Sequence, residues 1–163
     1  MLYDEARSKI ETGDAVLVSK AHSTLGRLTQ FFTRSQYVHA GVAIWIGGHL
    51  YMAELNGGRN HLVPISQLTK FDVYARPAAI SAEAAEASIL AMLTYPIDYG
   101  FFSFPVIGLL NFLRIKVFIH WRKIIVCSGY VVAIYEGAGW PERSRVISPR
   151  DLADQLDLKF SVG

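Results

Sequence analysis

Apolar and polar positions alternate along Tyr37 to Ile46: Val38, Ala40, Val42, Ile44 and Ile46 fall on one face, and His39, Gly41, Ala43 and Trp45 on the other. A period of two marks a β-strand, and the first of these faces is apolar enough to be a core face. Gly47-Gly48 follows it. Two glycines tolerate the positive φ of a tight hairpin turn, so His49 to Leu55 reads as the return strand. Residues 1–12 read as a short helix or arm, and Ala15 to Val18 as a short strand led by Gly13-Asp14. Ser23 caps a helix reaching Thr33, with Leu25, Leu28, Phe31 and Phe32 as its apolar stripe. Asn56-Gly57-Gly58 reads as a loop, and Phe71 to Arg76 as a strand ended by Pro77. Ser81 to Leu93 is the clearest helix, with Ser81 as cap, Glu83 and Glu86 early, and alanines in the body. Ile97 to Ser103 is a connector. Cys127 opens a helix to Glu136, stopped by Gly137 and Gly139, and Ser148-Pro149 begins a short one. Without repeats or linkers, this order predicts one α+β domain over residues 1–163, an antiparallel sheet packed against helices.

The composition sharpens that picture. Of 163 residues 52% are apolar and only 18% charged, which suits a sheet buried on both faces or an exposed apolar site. The net charge of +2, with basic residues scattered, gives no reason to expect a nucleic-acid partner. The N-terminal stretch Met1 to Arg7 lacks a basic-then-apolar leader pattern, so a reducing cytoplasm is expected, with export by a signal-independent route such as host lysis left open. The apolar run Phe101–Leu113 is broken by Asn111 and closed by Arg114 and Lys116. It falls short of the about 20 apolar residues that cross a bilayer. It reads as a buried helix or, given its basic flank, as a segment for peripheral membrane contact.

Cys127 is the only cysteine, so it can form no intrachain disulfide. At a helix start it meets unsatisfied N–H groups and the positive end of the helix dipole, both of which favour the nucleophilic thiolate. Such a thiolate needs a base, and the base an orienter. His49 sits beside the hairpin turn, His61 in a polar stretch, and His120 against Trp121; His22 follows the first strand within range of a site. His39 alone lies inside a strand, on a face that is small beside it and leaves room for another element. If Gly47-Gly48 is a two-residue turn, Ile46 pairs with His49, Gly41 with Glu54 and His39 with Asn56. Glu54 then shares the His39 face, diagonal to it at roughly 7–8 Å. A slip of one residue would remove this relationship. The alternative for each residue is a structural one: a buried histidine, a rim carboxylate, a small buried thiol. No second His or Cys stands at zinc spacing to His39 or Cys127, so neither a metal site nor a cofactor is expected.

With these residues in order, the chain resembles the circularly permuted NlpC/P60 group of papain-like cysteine hydrolases, in its YiiX/YebB-like branch. The resemblance rests on Gly13-Asp14, Tyr37-Val38-His39-Ala40-Gly41-Val42, Tyr51-Met52-Ala53-Glu54, Pro96-Ile97-Asp98-Tyr99, Cys127-Ser128 and Ser148-Pro149-Arg150-Asp151-Leu152, and covers about residues 13–155. The position after Cys-Ser, usually acidic in the group, is Gly129 here. The resemblance implies a permuted papain-like fold with His39 as base and then acid, Glu54 as its orienter and Cys127 as nucleophile. It makes the backbone N–H of Cys127 an oxyanion donor and brings Asp98, Tyr99, Ser128 and Tyr37 forward as substrate or oxyanion contacts.

The activity so implied is cleavage of an amide bond, in a peptide or cell-wall (peptidoglycan) substrate, through an acyl-enzyme. An acyl-lipid hydrolase or acyltransferase at a membrane surface is the alternative that Phe101–Leu113 favours. A binding module with a vestigial site is the reading of a different class.

Overall fold

The computed structural model describes residues 1–19, 35–56, 59–94, 127–141 and 148–163. The expected helix from Ser23 to Thr33, the Pro96-to-Tyr99 motif, the Phe101–Leu113 run, His22 and His120 lie outside them.

The alternation at 37–46 becomes strand β2 (His39–Ile46), joined to β3 (His49–Asn56) by a turn in which Gly47 has φ 58° and Gly48 φ 78°. Two consecutive positive φ values are what a two-residue turn needs to match the strand twist. Strand β1 is Ala15–Val18, and β5 is Phe71–Tyr74. Two further strands were not expected: β4 (Arg59–Pro64) and β6 (Leu158–Val162). The residues read as a loop after Leu55 are in part strand, since Asn56 ends β3 and pairs with Arg59. Among the described residues the strands form one six-stranded sheet of order β4-β3-β2-β1-β5-β6, and its pairings are antiparallel.

Four helices accompany it among the described residues: α1 (Tyr3–Arg7), α2 (Ala82–Thr94), α3 (Cys127–Gly137) and α4 (Pro149–Ala153). The Ser81 hydroxyl accepts the Ala84 N–H at the head of α2. Ser148 and Asp151 form a reciprocal capping box on α4. No helix among the described residues is long and apolar enough to cross a membrane.

The sheet is buried on both faces. Ala40, Val42 and Ile44 of β2 pack with Ile89 of α2 and with Tyr130 and Ile134 of α3. Ala43 and Met52 face the other way, with Ala6, Ile10, Ile65 and Phe71. Val38, expected on the first face, packs instead against this second cluster, because it precedes the strand proper. Completely burying one large apolar side chain contributes roughly 1.5–3 kcal/mol, so Tyr130, Tyr135 and Ile134, all at 0% exposure, hold α3 firmly on the sheet. Two polar ties fix its position further. The Tyr135 hydroxyl donates to the Gly13 carbonyl at 2.8 Å, and the Ser88 hydroxyl to the Ile134 carbonyl at 2.7 Å. The first residue of the helix so anchored is Cys127.

The Gly13-Asp14 lead into β1 is a structural junction. Asp14 is 1% exposed; it accepts the Glu11 N–H at 2.9 Å and pairs with Lys159 of β6 at 3.0 Å.

Candidate active site

The hairpin register is as counted from the sequence at Ile46–His49 and Gly41–Glu54, but the third expected pair, His39 with Asn56, does not form because the ladder ends at Gly41–Glu54. Glu54 and His39 therefore lie on one face, and their side chains meet, with Nε2 of His39 2.8 Å from Oε2 of Glu54. Glu54 is nearly buried, with a side chain 7% exposed against 21% for His39. A second donor reaches the carboxylate, since Asn56 Nδ2 donates to Glu54 Oε1 at 3.3 Å. On the far side β4 sets His61 opposite Glu54.

Cys127 arrives from α3. It is partly exposed and lies beside the His39 ring, each shifting the other's pKa. Because Glu54 holds Nε2, Nδ1 is the ring atom left for the sulfur. The backbone N–H groups of Ala40 and Ser128 also help to lower the pKa of the thiol. The small residue next to His39 serves a different neighbour from the one expected. A Cβ at Gly41 would come within 2.5 Å of Met52 Cγ and 2.6 Å of the Ala53 carbonyl oxygen, so the space admits the adjacent strand β3 rather than a separate element.

The electrostatics follow from these contacts. Burial alone would raise the Cys127 thiol, but the hydrogen bond and charge of His39 and the two backbone N–H groups outweigh it and pull the pKa below its ordinary value. Burial would likewise depress His39, yet Cys127 and Glu54 on either side raise it to about 10. Glu54, which burial would raise, is held below the carboxylate range by His39, by the Asn56 bond and by the charge of His61. All three shifts favour a thiolate beside an imidazolium beside a carboxylate, an arrangement able to attack a carbonyl carbon and then protonate a leaving group.

Ser128 is buried, so it offers the site its backbone rather than an exposed hydroxyl. The Tyr37 hydroxyl donates to Asp72 Oδ2 at 2.6 Å and lies 2.7 Å from the Tyr74 hydroxyl, which is a packing arrangement in the core. Asp98 and Tyr99 lie outside the described residues. Asn56 was not singled out from the sequence, although the register count set it opposite His39. His61 could not be connected to Glu54 while β4 went unread. A surface hollow of about 350 Å³ lined by Tyr3, Arg7, His49 and Tyr51 lies at the turn end of the hairpin, away from Cys127.

No family model matches the sequence, and no curated protein matches it. Among solved structures, the crystal structure of the metalloprotein YiiX from Escherichia coli O157:H7 is similar, with a TM-score of 0.58 at 21% identity. The match covers 80% of this chain and 67% of that one. The fold is that of YiiX. The α+β architecture, with an antiparallel sheet packed against helices, is therefore shared with YiiX; at this identity the likeness speaks for the fold alone.

Proposed function

We propose that this chain is a cysteine hydrolase of the permuted papain-like kind, cleaving an amide bond through an acyl-enzyme. The observation that carries the reading is the position of His39, 2.8 Å from Glu54 on one side and beside Cys127 on the other. His39 and Glu54 precede Cys127 in the chain, the reversed order expected of a permuted arrangement.

In the proposed reaction the Cys127 thiolate adds to the carbonyl carbon, forming a C–S bond and a tetrahedral oxyanion. The oxyanion collapses, the C–N bond breaks, and His39 gives its proton to the departing amine. A water molecule then loses a proton to His39 and adds to the thioester. The C–S bond breaks, the acid leaves, and Cys127 returns as thiolate beside protonated His39. Glu54 keeps the imidazole oriented throughout and offsets its positive charge.

A metal-dependent reading, which the description of YiiX as a metalloprotein invites, finds no support in the donor set of the described residues. Among the described residues no three His, Cys, Asp or Glu side chains are grouped to hold an ion, and the His39 ring is engaged by Glu54 and Cys127.

The test is a panel of peptide amides, cell-wall peptides, simple esters and phospholipids, assayed with wild type and Cys127→Ala. Turnover of amides by wild type alone, with a substrate-derived acyl mass on Cys127, supports the reading. Turnover confined to phospholipids would replace the amide by a lipid acyl bond, and turnover retained by Cys127→Ala would remove the covalent mechanism.

A further inference from the structure

The β2–β3 ladder runs from Ile46–His49 to Gly41–Glu54 and stops there, although both strands continue. Past that point His39 and Ala40 remain paired with Val18 and Leu17 of β1. Leu55 and Asn56 remain paired with Asn60 and Arg59 of β4. The sheet forks between β2 and β3 at the residues beside the candidate site.

The fork frees groups that an unbroken ladder would use. In an antiparallel ladder alternate pairs exchange both backbone bonds. Counted from Ile46–His49, the pair Ala40–Leu55 would be one of these. Instead the Ala40 N–H is among the groups that lower the pKa of the Cys127 thiol. The next pair would set Asn56 against His39. Released from that position, Asn56 turns back along its own strand. Residues i and i+2 share a face, and Asn56 Nδ2 donates to Glu54 Oε1.

The two carboxylate oxygens are thus divided, Oε2 to His39 and Oε1 to Asn56. The last torsion of a glutamate is soft, so one contact does not fix the plane of the carboxylate. Two contacts on different oxygens do.

We propose that Asn56 is a positioning residue of this site, holding Glu54 in the orientation that presents Oε2 to His39. The inference rests on the cysteine-hydrolase reading and extends it to a residue that touches neither the sulfur nor the reacting carbonyl. The charged or titratable groups facing Glu54 are His39 from β2 and His61 from β4, with Cys127 beyond His39. Asn56 is the neutral member of this set, and its role is to orient without competing for a proton.

The experiment is the pH dependence of Cys127 alkylation by iodoacetamide in wild type, Asn56→Leu, Asn56→Asp, Asn56→Gln and His61→Ala, each also melted thermally. It needs no substrate. Loss of one hydrogen bond to a charged group corresponds to about a tenfold effect. Asn56→Leu should therefore alkylate about tenfold more slowly than wild type on the acid side, its limb moved to higher pH. Asn56→Asp should lose the tie as well, because a carboxylate cannot donate to Glu54 Oε1. Asn56→Gln, which keeps a carboxamide, should recover part of the loss, and His61→Ala should move the limb least. If the Asn56 variants keep the wild-type limb, whether or not their melting temperatures fall, the positioning role is overturned while the hydrolase reading stands. If wild type itself titrates as an ordinary thiol, both are overturned.

Discussion

His39 Nε2 lies 2.8 Å from Glu54 Oε2, and Glu54 pairs across the hairpin with Gly41, two positions along the strand from His39. One carboxylate thus answers to both the register of the hairpin and the ring that faces Cys127. Glu54→Gln keeps the shape and removes the charge. It should lower turnover by about 10- to 100-fold, the range for a hydrogen bond to a charged group, and shift the acid limb of Cys127 alkylation upward. Steady-state kinetics and the alkylation profile check this together.

The pH dependence of turnover has a definite sign. Cys127 titrates below its ordinary value, and His39 is raised to about 10. The thiolate–imidazolium pair is lost on the acid side as Cys127 takes up a proton, and on the alkaline side as His39 gives one up. A bell-shaped profile of kcat/KM is expected, with its alkaline limb near pH 10.

Gly41→Ala tests the close approach of β3. The new Cβ would meet the Ala53 carbonyl oxygen at 2.6 Å, a backbone atom that cannot swing aside as Met52 can. Overpacking of this kind costs about 1–3 kcal/mol. Chemical denaturation should show that loss, and Cys127 reactivity should fall with it because Glu54 pairs with Gly41.

Tyr37→Phe separates packing from substrate contact. It removes the donor to Asp72 and the partner of Tyr74. Stability should fall by about 1–3 kcal/mol, the cost of a lost buried partner, with the alkylation profile of Cys127 unchanged. A raised KM at unchanged stability would instead make Tyr37 a substrate contact.

Ser148→Ala removes the capping box of α4, whose Leu152 is fully buried in the core. A loss of about 1 kcal/mol is expected. Calorimetry should show a lower melting temperature, and Cys127 should alkylate as in wild type.

The parts of the fold legible in the sequence are those set by local chemistry. Gly47-Gly48 announced the turn, and period-two alternation announced β2; together they placed Glu54 on the His39 face. Ser81 and Ser148 announced their helices. Strand β4 was hidden because Arg59, Asn60 and His61 give it no apolar period. As an edge strand it needs little of one, and it is tied down by Asn60 Nδ2 donating to the Met92 carbonyl at 2.7 Å. Strand β6 does alternate at Leu158, Phe160 and Val162, but Leu158 is 55% exposed and the run is short. The fork at Ala40 and Asn56 was not legible at all. Register counting assumes that a ladder continues, and only the three-dimensional arrangement shows where it stops.

In the proposed reaction Cys127 is kept as a thiolate by His39. The rate of Cys127 alkylation by iodoacetamide as a function of pH, in wild type and in His39→Ala, reads that pairing without any substrate. Wild type is expected to react well below the ordinary thiol range, and His39→Ala to return the profile to a single titration near pH 8.5, roughly the value of a free cysteine. A wild-type profile that already titrates there, or one that His39→Ala leaves unmoved, would contradict it.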